Sequence, residues 1–90
     1  MNLKEIKDEK VIIKLNEDNR KEFLLQAKHE GFRWSLSKDI QENDDCTFHI
    51  VLDLKLKIIS NLSTMCYVKS KELQDLPIYE YKSSEEDLTL

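Results

Sequence analysis

Cys46-Thr47-Phe48-His49-Ile50-Val51-Leu52-Asp53-Leu54-Lys55-Leu56-Lys57-Ile58-Ile59 is the stretch whose reading decides the fold. Apolar side chains fill every even position from Cys46 to Ile58. Thr47, His49, Asp53, Lys55 and Lys57 share the odd positions with Val51 and Ile59. A period of two marks strand with one buried face. Strands usually run to about 3–10 residues, so the run is long for one. A two-residue loop at Asp53-Leu54 would set Leu52 opposite Lys55 and break the face. A three-residue loop, Asp53-Leu54-Lys55, pairs Leu52 with Leu56, Ile50 with Ile58 and Phe48 with Ser60, which preserves it. The expectation is that hairpin, or else a single long bent strand.

Toward the N-terminus, residues 1–9 read as a short lead-in. Lys10–Leu15 is a β-branched run with Val11, Ile13 and Leu15 on one face, a first strand. Asn16 then offers a helix cap, and Glu17 and Asp18 put negative charge in a first turn. Phe23, Leu24 and Ala27 form an apolar stripe with Leu25 at its margin. Glu17 and Lys21 are spaced as an i,i+4 pair. Lys28 and His29 suit a last turn, and Gly31, the only glycine, falls at the left-handed C-terminal cap. The spacing predicts a helix over 17–30. Phe32, Trp34 and Leu36 alternate with Arg33 and Ser35 as a short second strand, and Ser37 to Asp45 reads as a polar loop around Ile40.

Toward the C-terminus, Asn61-Leu62-Ser63 turns the chain. Thr64-Met65-Cys66-Tyr67-Val68 reads as a strand of mixed faces. Leu73, Leu76, Ile78, Tyr79 and Tyr81 add a helical turn and an edge strand around Pro77. The fold class is therefore α+β: one helix on a small, mostly antiparallel sheet of four or five strands, in the order β-α-β-β-β, the first crossover right-handed. Residues 1–82 form one domain and 83–90 an acidic, frayed tail. The expected core is Val11, Ile13, Phe23, Leu24, Ala27, Phe32, Trp34, Phe48, Ile50, Leu52, Leu56, Ile58 and Met65.

Charged residues make up 36% of the chain, against about 25% for an average globular sequence. The net charge of −4 is unevenly placed. From Glu72 onward six acids face one base, Lys82, whereas the first 71 residues hold thirteen bases and twelve acids. This is no basic footprint for nucleic acid, so direct nucleic-acid binding is not expected. One glycine is too few for any glycine-rich phosphate cradle. No apolar run spans a membrane, and the N-terminus lacks an apolar leader, which reads as cytoplasmic. An acidic end serves solubility or docks on a basic partner.

The chemical constellations have plainer rivals. Cys46, His49, Cys66 and His29 are potential metal ligands, yet their spacing matches no structural zinc pattern. On a strand, Cys46 and His49 point to opposite faces. Reduced, buried thiols are expected instead. Neither cysteine is placed for a lowered pKa, so no nucleophile is assigned. Asp39, Glu42, Asp44 and Asp45 lack the spacing of a calcium loop. Trp34 beside Arg33 reads as a helix anchor rather than a base-stacking platform. No catalytic, metal or cofactor site is expected.

The run Phe23-Leu24-Leu25-Gln26-Ala27-Lys28-His29-Glu30-Gly31-Phe32-Arg33-Trp34 resembles the F-L-x-x-A-x-x-x-G-[FY]-x-W pattern of short proteins from Gram-positive phages and mobile elements. The resemblance covers Val11 to Trp34. The pattern commonly continues with glycine or a small residue near Leu36-Ser37, and this chain has no glycine there. Some small acidic phage proteins block host defence nucleases by occupying a nucleic-acid groove or an interface, and that is what the resemblance implies. No catalytic residues come with it.

The functional expectation is a non-enzymatic binding protein of the bacterial cytoplasm, an anti-CRISPR-like inhibitor acting by occlusion. Its partner is a host protein or nucleoprotein complex with a basic surface. The contact residues would be Asp44, Asp45, Tyr79, Glu80, Tyr81, Glu85, Glu86 and Asp87. The alternative is a self-associating module, a homodimer through the sheet edge or through Val51 and Ile59 on the polar face of the hairpin.

Overall fold

Val11-Ile12-Ile13 lies at the middle of strand β1 (Lys10–Lys14), and all three side chains are buried. Successive side chains of a strand point to opposite faces, so both faces of β1 must be covered. The computed structural model, which describes residues 3–82, covers them unequally.

Helix α1 (Arg20–His29) buries Phe23, Leu24 and Ala27, the stripe read from the sequence. They join Val11, Ile13, Leu15, Phe32, Trp34, Ile50, Leu52 and Ile59 in one cluster. Leu3, Ile40, Cys46 and Tyr81 complete it. The helix ends as its only glycine foretells. Gly31 has φ +93°; its N–H donates to the Lys28 carbonyl (3.1 Å), and that of Phe32 to the Ala27 carbonyl (2.9 Å). This is the paired Schellman arrangement. The start differs from the expected span over 17–30. The Asn16 Oδ1 accepts from the N–H groups of Asp18 and Asn19, and the Asn19 Oδ1 accepts from Asn16 N–H. This reciprocal turn spends three residues before the helix begins. Glu17 is therefore outside the helix and no i,i+4 partner of Lys21.

Strands β2 (Arg33–Trp34), β3 (His49–Asp53), β4 (Ile58–Asn61) and β5 (Ile78–Glu80) complete a five-stranded sheet in the order β2-β4-β3-β1-β5. Strand β3 runs antiparallel to β1 and β4. Strand β5 is parallel to β1, and β2 to β4. The sheet is mixed: its two central ladders are antiparallel, as expected, and its two edge ladders are parallel. Its connections explain why: α1 carries the chain from β1 over β3 and β4 to β2. A second crossover returns from β4 over β3 and β1 to β5, in the edge position that Pro77 suggests.

That second crossover is helical, which corrects the expected single helix. Thr64–Lys69 forms α2 rather than a strand, followed by α3 (Lys71–Gln74). The Ser63 hydroxyl accepts from Cys66 N–H at 3.1 Å and that of Ser70 from Leu73 N–H at 3.2 Å. Two serine caps outweigh the strand propensity of Tyr67 and Val68.

The hairpin is real, but its loop has four residues. Asp53 pairs with Ile58 and Leu52 with Ile59. The Asp53 Oδ1 accepts from Lys55 N–H (3.1 Å) and Leu56 N–H (2.9 Å), and Lys57 closes the turn at φ +60°. An even loop shifts parity, so the core position passes from Ile58 to Ile59. Leu56 is 64% exposed, Ile58 half-buried and Met65 exposed on α2. Phe48, also expected inside, lies before β3 and is half exposed, with the Arg20 guanidinium 5.0 Å from its ring centroid. Ile59 is buried and Val51 half-buried, so the expected apolar pair on the polar face does not exist.

Replacing Ile59 with Ala is expected to cost about 2–5 kcal/mol, as for a buried aliphatic side chain. Leu56→Ala should stay within about 0.5 kcal/mol. Urea unfolding measures both, and equal losses would contradict the register. Leu36 has φ +74° with 98% of its surface exposed. A left-handed non-glycine residue costs about 1–2 kcal/mol, while glycine adds about 0.5–1 kcal/mol of entropy loss. Leu36→Gly should therefore stabilise by roughly 0.5–1 kcal/mol, raising the melting temperature by a few degrees.

Candidate functional site

The acids expected to meet a partner have diverse surroundings. Asp44 belongs to the loop between β2 and β3, which Ile40 anchors in the core. Its Oδ2 accepts from Trp34 Nε1 at 2.7 Å and Gln41 N–H at 2.8 Å. The Gln41 backbone donor, then the indole, hold its carboxyl below the usual aspartate value. The carboxylate thus fastens the loop to β2. Asp45 is exposed; its carbonyl accepts from Asn61 Nδ2 at 3.4 Å.

Tyr79, Glu80 and Tyr81 do not form one patch. Tyr81 is 2% exposed. Its hydroxyl donates to Gln26 Oε1 at 2.5 Å, and its ring meets Phe23 edge-on at 5.4 Å. The Asn19 side-chain amide donates to its carbonyl at 3.1 Å. Tyr81 is core, not contact surface. Tyr79 is half-buried and donates to Asp8 Oδ2 at 2.8 Å, a bond that raises its phenol pKa by favouring the protonated form. Glu80 is exposed. Glu85, Glu86 and Asp87 lie outside the described residues.

The thiols also divide. Cys46 is free and buried, and burial pushes its pKa to about 11. Cys66 is free but exposed on α2, against the expectation that both are buried. Among the described residues, no three His, Cys, Asp or Glu side chains converge as a metal site. No helix among them is long and apolar enough to cross a membrane.

Two concavities emerge that the sequence did not disclose. The first is an open depression of about 520 Å³ at the β3–β4 turn, lined by Asp8, Glu9, Lys10, Asp53, Lys55, Leu56, Glu72 and Leu76. Four carboxylates face two ammonium groups around two leucines. Pairing of Lys10 with Asp53 joins the lead-in to the turn, Leu54 N–H donates to the Glu9 carbonyl at 2.8 Å, and α3 brings Glu72. No linear signal joins residues 8, 53 and 72; only strand register does.

The second is a cleft of about 210 Å³ on the sheet face opposite α1, lined by Ile12, His49, Leu62, Ser63, Thr64, Tyr67 and Ile78. Its position is fixed from both sides. Leu62 N–H donates to the His49 carbonyl at 3.1 Å, and the Thr47 hydroxyl donates to the same carbonyl at 2.6 Å. The Gln74 side-chain amide donates to the Tyr67 and Val68 carbonyls, each at 2.9 Å, bracing α2 on α3.

No family model, no curated protein and no solved structure matches the chain.

Trp34 is the single tryptophan, so its fluorescence reports the Asp44 bond. The folded-state carboxyl titrates below the unfolded one. Its stabilisation is present above the unfolded value and lost as pH falls through the folded value. An acid titration should therefore change Trp34 emission with a midpoint below 3.8, the ordinary aspartate value. In Asp44→Asn that transition should vanish.

Proposed function

We propose that the chain is a non-enzymatic binding protein that occludes a basic surface of a partner protein or nucleoprotein complex. In the version the phage-like motif favours, the partner is a host defence complex and the effect inhibitory. The supporting observation is the depression at the β3–β4 turn, where Asp8, Glu9, Asp53 and Glu72 outnumber Lys10 and Lys55 around exposed Leu56. The four acids steer a Lys- or Arg-rich surface into register, and the leucines supply apolar contact once water leaves. Asp45 and Glu80 are exposed at the opposite end of the sheet, away from this depression. Tyr81 is buried in the core, so it does not belong to the contact set.

Attraction between exposed charges fades as the screening length shrinks from about 10 Å at 0.1 M salt to about 3 Å at 1 M. Immobilised protein incubated with bacterial host lysate should therefore retain its partner at low salt and release it at high salt. The double variant Glu9→Gln, Glu72→Gln should bind the purified partner more slowly, the loss falling mainly on the association rate. Capture that ignores both salt and these substitutions refutes the reading.

A further inference from the structure

We propose that the cleft between α2 and the sheet is a binding site for a small monocarboxylate with a single ring or an apolar body of similar size. It lies apart from the acid-lined depression and does not rest on the occlusion reading. Its floor and walls follow from strand register. On the sheet face opposite α1, His49 of β3, Lys14 of β1 and Glu80 of β5 stand in one row, and Val51, Ile12 and Ile78 in the next. The cleft spans both rows, with Ile12, Leu62 and Ile78 as an apolar floor. The polar side is formed by His49, Thr64 and Tyr67.

The chemistry of that side selects the ligand. The tyrosine and threonine hydroxyls and an imidazole N–H can all donate hydrogen bonds. Among the described residues, none of these side-chain groups has a hydrogen-bond partner. The Lys14 ammonium extends the row beside His49, and Glu80 lies one strand farther, in register with Lys14. A carboxylate accepts several such donors at once, and charged hydrogen bonds are the stronger kind. No carboxylate lines the cleft, so an ammonium would lack a charged partner there; Glu80, like Lys14, stands just outside the lining.

Size limits the rest. A dry cavity of about 150 Å³ holds benzene, and drug-sized ligands occupy about 300–1,000 Å³. A cleft of about 210 Å³ therefore takes one ring and a small substituent. The wall over the sheet is held as one unit, since Ser63 caps α2 and Gln74 braces it from α3.

Benzoate is the probe, with benzyl alcohol and benzylamine as neutral and cationic counterparts of similar shape. Each is titrated into the full chain while amide shifts are followed by NMR. Benzoate should give saturable shifts confined to Ile12, His49, Leu62, Thr64, Tyr67 and Ile78, benzyl alcohol weaker ones, and benzylamine none. The double variant Thr64→Val, Tyr67→Phe keeps the apolar shape and should weaken benzoate about tenfold, with the amide spectrum elsewhere unchanged. Ile78→Trp, at a half-exposed edge position, should fill the mouth and abolish the shifts. The proposal is overturned if benzoate shifts are absent or scattered, if benzylamine binds equally well, or if both variants bind as the parent does.

Discussion

The turn between β3 and β4 holds more of this structure together than its exposure suggests. Asp53 folds its carboxylate over the N–H groups of Lys55 and Leu56, and Lys57 adopts the left-handed conformation that lets β4 return. The Lys57 carbonyl accepts from Arg33 N–H at 3.0 Å, which starts the parallel pairing of β2. The Lys57 ammonium sits 4.7 Å from the Phe32 ring centroid, just after the helix cap. At the other end of the turn, Leu54 N–H bonds to Glu9 and extends the β1 ladder. One four-residue loop thus ties together the register of β1, β2, β3 and β4. A loop of odd length would keep β3 in place yet turn Ile59 outward.

That dependence explains what the sequence made legible. Local chemistry was readable wherever one residue type has one structural use. Gly31 marks a left-handed cap because a side chain there is strained, and Phe23, Leu24 and Ala27 can share a face only on a helix. Parity across the hairpin had no such marker. Leu54, Leu56 and Ile58 continue the even alternation through the turn, so the pattern looks unbroken where the chain changes face. The segment 64–68 misleads for another reason. Its residues favour strand by type, but the serines before and after it decide the conformation, and a cap contributes about 0.5–2 kcal/mol.

The candidate sites were less legible than the fold because they are made by pairing rather than by motif. Asp44 and Tyr81 looked like surface residues in a polar context. Each is instead the polar end of a core contact, one holding the indole of Trp34 and the other the amide of Gln26. Aromatic residues with a polar atom require such a partner when buried. The acids that do converge lie in segments about forty and twenty residues apart, joined only by the Lys10–Asp53 pairing and the return of α3. Charge counting along the chain finds the amount of negative charge but not its focus.

The two faces of the sheet differ in a way that bears on both sites. On the α1 side, side chains from the helix and from four of the strands interlock in one cluster. On the other side, α2 and α3 contain no fully buried residue, and the side-chain hydrogen bonds of Ser63, Ser70 and Gln74 stay within the crossover. A layer that is braced on itself and lightly seated on the sheet leaves space beneath it, and the cleft over Ile12 is that space. The same arrangement puts this layer at the low end of local stability, since few apolar contacts resist its opening. Ile12 keeps its cover because Leu62, Tyr67 and Ile78 surround it, so the region most exposed to change also closes the second face of the central strand. Binding in the cleft would therefore stabilise the crossover without altering the α1 core, by adding contacts where packing is thinnest.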